Sequence, residues 1–368
     1  MKIQNLFILF LCLTLINCAT DDNNFEPTEN IFDGDIILNS QEDVDALGKN
    51  KYTKITGYLR IETLSNLTWI HNLSIFSDLT EICGDLILEN NSALVSTESF
   101  SELKKIGGSL ILFDNGIKNL NGFLNLKSID GNLSIKYNAL GNMEGLENLN
   151  SIGGDFFINQ NQISSLDMFR NVTSTLRGFI WLEMERLESL NGLPKIGSTT
   201  ASIKIAQTKI ENLEAFSDVQ HIEGSLELNN NDHLISLEGF DNIKSIRDRL
   251  SIRGNDVLQN LDQLNNLNLL KGDLDIFGNI GLNNIDGLSK LVGIGGYVSI
   301  GYNDVLTNLD GLVNVETTGG RLEIEGNVNL SDFCGLSTLI ANGGTFLDIK
   351  LNSYNPTKQN FQDGHCSR

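Results

Sequence analysis

The side chains that do most enzyme chemistry are all present in this sequence, but none falls into a working spacing. The four histidines, His71, His221, His233 and His365, are far apart and share no common phase. There is no His-Glu-x-x-His zinc helix, no Gly-x-Ser-x-Gly elbow and no phosphate-binding glycine loop. Glycines come instead as pairs before short apolar alternations, where a turning backbone needs them. Carboxylates are plentiful, and two of them suitably separated could cleave a glycosidic bond, so a polysaccharide-acting enzyme stays open as a remote reading. Acidic loops could bridge calcium, yet no calcium-loop signature is present. The expectation is a binding protein and not an enzyme, with no cofactor and no metal.

Cysteine offers a different chemistry. Cys12, Cys18, Cys83, Cys334 and Cys366 lack the two close pairs of a zinc site. After Lys2, an apolar run from Leu6 to Ile16 is interrupted only by Thr14. It is too short to span a bilayer and reads as a signal-peptide core. The run ends in Leu15-Ile16-Asn17-Cys18, which resembles a bacterial lipobox. The resemblance implies that the Cys18 thiol receives a diacylglyceryl group and becomes the new N-terminus. Asn17 departs from the usual Gly, Ala or Ser, and an ordinary signal peptide cut near Ala19 or Thr20 is the alternative. Asp21-Asp22, just after the cysteine, resembles the surface-export signal of Bacteroidetes-type lipoproteins. That implies an outer-membrane protein facing outward, touching the membrane only through its lipid. Acyl chains hold such a body at ~0.8 kcal/mol per buried methylene.

The formal charge is −21. A nucleic-acid binder needs a basic face, so that class is excluded. The acid excess reads as a solvated exterior, or as a surface for a basic partner or cations.

The body that carries these residues is a repeat. Counting from Gly84, Leu86, Leu88 and Asn91 stand at +2, +4 and +7. The frame recurs with Asn115, Asn138, Asn161, Asn231, Asn255, Asn279, Asn303, Asn327 and Asn352 at +7, every 23–25 residues. Alternation at +2 and +4 says strand. The following apolar residues come every third position, as in Leu258, Leu261, Leu264, Leu267 and Leu270, which says tight 3₁₀-like turns or extended legs. Each unit is one coil, and about thirteen coils stack into a right-handed solenoid with one parallel sheet. An inward amide at +7 can donate and accept where the backbone leaves the sheet, so the Asn residues form a structural ladder. Ser40 to Gly48 reads as a short cap helix. Cys334 in the last regular coil and Cys366 in the tail are the candidates for a disulfide that closes the far end, while Cys83 is expected to be buried. The boundaries are a leader over 1–17, the lipidated cysteine and a flexible tether over 18–30, an N-terminal cap over 31–56, the solenoid over 57–352 and a C-terminal cap over 353–368.

The strand segment resembles leucine-rich repeats. The whole coil, with Ile294-Gly295-Gly296-Tyr297-Val298-Ser299-Ile300 and Asp310-Gly311-Leu312, resembles the receptor L domain family over roughly 34–352. The resemblance implies a β-helix-like solenoid and a role in binding at a cell surface. It implies no ligand and no catalytic residue.

A binding site would use the outward strand positions. At +3 the first half of the stack carries Ile87, Ile111, Phe157 and Trp181, and the second half is almost wholly polar. Phe113 at +5 and Tyr137 at +6 extend the apolar part. Such a patch suggests contact with a protein or glycan. β-propensity alone also favours these residues on a strand, or a loop could cover them. The expected function is adhesion or binding at the cell surface; the alternative is a structural envelope protein without a specific ligand. The Asn ladder lapses at Glu185 and Thr208, which marks the stretch 178–223 as a functional departure, a seam between two half-solenoids, or repeat drift. The longer coil from Gly57 to Gly84 carries Trp69 and His71 in its extra length, at a binding loop or against the cap.

Overall fold

The computed structural model describes residues 29–48, 50–64, 68–343 and 347–368. Leader residues 1–17, Cys18 and most of the tether lie outside them.

The Leu-x-Leu and Leu-x-Ile alternations form fourteen strands that pair in sequence order into one sheet, from Ile36–Leu38 to Leu347–Lys350. Every pairing is parallel and in phase: Leu133 faces Phe156, and Leu250 faces Leu274. Equivalent residues of successive coils therefore sit on one another. Their inward side chains, such as Leu110, Leu112, Leu133 and Ile135, are fully buried in one continuous core. At ~4.8 Å per strand the sheet runs roughly 60 Å. The 31–56 segment already contributes the first rung, since Ile36–Leu38 pairs with the strand Leu59–Glu62.

The period-three stretches wind into 3₁₀ turns, among them Glu98–Phe100, Asp262–Leu264, Asp286–Leu288 and Asp310–Leu312. Three residues per turn bring every third side chain to the same side, which is inward here. Phe76, Phe100 and Phe123 stack there with ring centroids 6.0 and 5.8 Å apart. Glycines let the coils approach. A Cβ on Gly122 would stand 1.6 Å from the Thr97 carbonyl oxygen of the coil before, and one on Gly145 1.9 Å from that of Leu120.

The main sheet is the expected one, but a second parallel ladder accompanies it. Two-residue strands just before the glycine corners pair from Ile31–Phe32 to Ser151–Ile152, and again from Thr199–Thr200 to Thr317–Thr318. Two residues are too few to register as alternation, so this ladder leaves no strand signal. Between its halves only a Leu176–Ile196 bridge remains. The main sheet crosses that gap unbroken, with Phe156 facing Ile180 and Ile180 facing Ile203. The chain is thus one solenoid, and the seam is confined to the second ladder.

The coil exit follows one rule. The residue at +6 has positive φ in eleven coils, including Asn90, Asp114, Tyr137, Gln160, Gln207, Tyr302 and Leu351. This left-handed step turns the next residue, at +7, back into the core. Asn279 then donates from Nδ2 to the Ile252 carbonyl at 2.9 Å, while its Oδ1 accepts from the Asn255 backbone N–H at 3.0 Å. Asn91, Asn115, Asn138, Asn161, Asn231, Asn255, Asn303, Asn327 and Asn352 donate the same way to the preceding coil. Thr208 takes a rung with its hydroxyl, 2.8 Å from Asn231 Oδ1. The coil of Gly178 has no left-handed residue at its +6 exit, and Met184, not Glu185, turns into the core there.

Both ends are closed. Helix Gln41–Leu47 is capped by the Ser40 hydroxyl, which accepts from Asp43 N–H at 3.1 Å, and stops at Gly48 with φ 82°. The Gln41 side chain ties this helix to the long coil. Its Oε1 accepts from His71 and Asn72 N–H, and its Nε2 donates to the Asn72 carbonyl. At the other end the tail folds back. Cys334 and Cys366 form a disulfide, and Phe333 N–H donates to the Cys366 carbonyl at 3.0 Å. Cys83 is half-buried, not buried as the sequence suggests, because the corner it shares with glycines lies at the rim of the coil. The molecule is a leucine-rich-repeat-like parallel β-solenoid. None of its described helices is long and apolar enough to cross a membrane.

Candidate functional site

Strand alternation sends +1, +3 and +5 to the outer face of the main sheet, so the candidate residues are placed by pairing register. Phe157 lies beside Trp181, and Trp181 beside Lys204. Phe157 and Trp181 meet edge to face with centroids 6.3 Å apart. Phe179 at +1, which the sequence reading passes over, completes the cluster. It is 5.3 Å from Phe157 and stacked 6.2 Å from Trp181. All three rings are half-buried.

Two lysines lie against them. Lys136 Nζ is 4.4 Å from the Phe157 ring centre and 4.8 Å from that of Trp181, and Lys204 Nζ is 4.4 Å from Trp181. Burial pushes the Lys136 ammonium below its ordinary pKa. Each exposed cation–π contact is worth about 0.5–1 kcal/mol, enough to bias these side chains but not to hold them against a charged ligand. Trp181 Nε1 donates to Glu183 at 3.0 Å, and Gln160 Nε2 donates to its other oxygen at 2.9 Å.

The remaining candidates are not gathered at this point. Phe113 and Tyr137 pair edge to face at 5.5 Å, with Tyr137 53% exposed. Ile87 and Ile111 pair with each other, and Ser134 stands between Ile111 and Phe157 in the +3 row. Ile87 borders a separate cleft of about 400 Å³ with Ile37, Tyr58, Arg60 and Asp85. Arg60 there is bonded to Glu62 and Glu89 at 2.8 and 2.9 Å, and its pKa is raised first by the Glu62 hydrogen bond. The polar half of the row is partly sealed: Asp275 is fully buried and paired with Arg253 at 2.6 Å. Trp69 is 61% exposed, close to the cap helix.

Among the described residues, no three His, Cys, Asp or Glu side chains converge as metal ligands would. His221 sits in the second ladder, 2.8 Å from the Ser245 hydroxyl. Phe179, Lys136 and Glu183 escape a reading along the +3 row alone. Comparing positions across rows would have found them, since pairing brings +1, +3 and +5 of adjacent strands together.

No known protein family matches this chain, and no curated protein does. Among solved structures it is similar to an internalin from Listeria monocytogenes, at 14% identity over 86% of this chain and 89% of that one, with a TM-score of 0.33.

Proposed function

We propose that the protein is a binding or adhesion module for a protein or glycan, held at the outer face of the outer membrane by lipid on Cys18. Its working surface is the outer face of the main sheet. One observation carries this reading: Phe157, Phe179 and Trp181 cluster, half-buried, on the outer face of the main sheet. Adjoining aromatics on an outer face offer the kind of apolar surface that contacts a protein or glycan. The likeness of the coil to receptor L domains supports the same role, and the Leu15-Ile16-Asn17-Cys18 run supports the anchor.

The test is retention. The detergent-solubilised chain is immobilised and exposed to cell-surface proteins and glycans. The expected outcome is a defined partner that is lost when Phe157 and Trp181 are both changed to Ser, with the circular-dichroism melt preserved. Retention unchanged in that variant would defeat the reading. Labelling of Cys18 with a radioactive fatty acid checks the anchor.

A further inference from the structure

We propose that the last strand of the main sheet, Leu347–Lys350, is a docking edge for a second copy of this chain, the two edges pairing antiparallel about a two-fold axis. In earlier coils the N–H groups at +2 and +6 donate to the coil that follows. Leu274 donates to the Tyr297 carbonyl at 2.9 Å, and Tyr302 to that of Glu325 at 3.0 Å. Leu347 and Leu351 hold these positions in the last coil. Ile349 between them faces the same way, because alternate residues of a strand turn their main-chain groups to one side. Among the described residues no strand follows, since the sheet ends at Leu347–Lys350. Main-chain groups along such an edge are a template for another strand.

The inward side chains of this strand are left open too. Leu347 and Ile349 are half-buried, whereas Leu322 and Ile324, at the same positions one coil earlier, are 2% and 0% exposed. The tail closes this end over the return path, where Phe333 N–H donates to the Cys366 carbonyl and Tyr354 N–H to that of Leu330. The amide ladder is finished as well: Asn355 Oδ1 accepts from the Asn352 N–H at 3.0 Å, as the Asn of a following coil would. What stays unfinished is the strand edge. The opposite end of the sheet differs, since Ile36 and Leu38 are 3% and 4% exposed. A head-to-tail contact sets an open end on a closed one, while a two-fold contact covers both open ends at once.

The segment is its own complement. Laid antiparallel on itself and centred on Ile349, Leu347-Asp348-Ile349-Lys350-Leu351 sets Leu against Leu, Asp against Lys and Ile against Ile. The two Ile349 residues then exchange both of their hydrogen bonds, and each Leu351 N–H meets the Leu347 carbonyl of the other copy. Lysine on an edge ordinarily repels a like edge, but here an acid stands opposite it. Within its own chain Lys350 lies 3.0 Å from both Glu325 and Asp348, and Arg321 pairs with Asp348. Two rods of ~60 Å joined in this way hold their N-terminal ends at opposite extremes. On the anchored reading above, the contact is therefore made between facing surfaces.

The experiment is sedimentation equilibrium of the full chain in density-matched mild detergent, where a concentration-dependent dimer is expected. Ile349→Pro should abolish it, because the ring takes away a donor at the centre of the pairing. Proline is tolerated where the N–H faces off an edge, and circular dichroism checks that the fold survives. Asp348→Lys sets Lys against Lys350 of the other copy and should weaken the dimer at least tenfold; adding Lys350→Asp should restore it. Ile349→Cys places two thiols opposite each other across the axis. It should crosslink on mild oxidation, with the parent chain as control. A monomer at every concentration, a dimer that survives Ile349→Pro, or a dimer in which Ile349→Cys never crosslinks would overturn the proposal. The Phe157 and Trp181 double variant should dimerise as the parent does, so the edge and the aromatic face succeed or fail separately; a dimer lost in that variant would also overturn it.

Discussion

Asn279 shows why one residue type recurs in this chain. Its side chain answers the Ile252 carbonyl behind it and the Asn255 N–H, and it donates onward to Asn303 at 3.2 Å. An ionised Asp has no donor for the carbonyl, and Ala has neither group. Asn279→Ala should therefore cost about 1–3 kcal/mol for each backbone group left unanswered, and lower the circular-dichroism melting temperature by several degrees. An unchanged melt would show that the ladder bears no weight. The step before the amide makes the opposite prediction. Leu351 holds φ 60° with its side chain 67% exposed, a conformation that Leu adopts at a cost and Asn tolerates. Leu351→Asn should raise stability by up to about 1 kcal/mol, read from the urea midpoint.

At the level of the element, the 3₁₀ turns carry a column of acids. Asp286 heads its turn, and its pKa is raised, first by desolvation and then by Asp310 and Asp262. A carboxyl raised in the folded state contributes stability that is full below its unfolded pKa and lost as pH climbs through the folded one. At pH 7 the charged form opposes folding. Asp286→Asn should raise the Tm there, with the advantage over the parent shrinking as pH drops below about 4. These turns were legible from the leucine spacing, and the strands from their alternation, because each signal is written many times over. The two-residue ladder was not, since Lys105–Ile106 or Ser128–Ile129 is shorter than any periodicity. The candidate site was legible only as a row. Phe157 and Trp181 stand out by type in one row, whereas Phe179, Lys136 and Glu183 join them only through the pairing of adjacent strands.

For the whole molecule, stacking in phase means that the unit and not the chain length sets the fold. Excising residues 272–295 joins Lys271 to Gly296 and keeps every Leu, Ile and Asn in register. That chain should fold to a rod shorter by ~4.8 Å, measurable by small-angle X-ray scattering. Removing only residues 284–295 breaks the phase and should yield no cooperative melt.

The two ladders also differ in continuity, and that has a mechanical consequence. A beam yields where its cross-section is thinnest. Near Leu176 and Ile196 the second ladder shrinks to one bridge while the main sheet continues, so that coil should resist bending least, with the main sheet as the leaf of the hinge. Trp181 lies on this same coil, on the outside of the leaf. Bending there would change the spacing between Phe157, Trp181 and Lys204, which the pairing of adjacent strands sets.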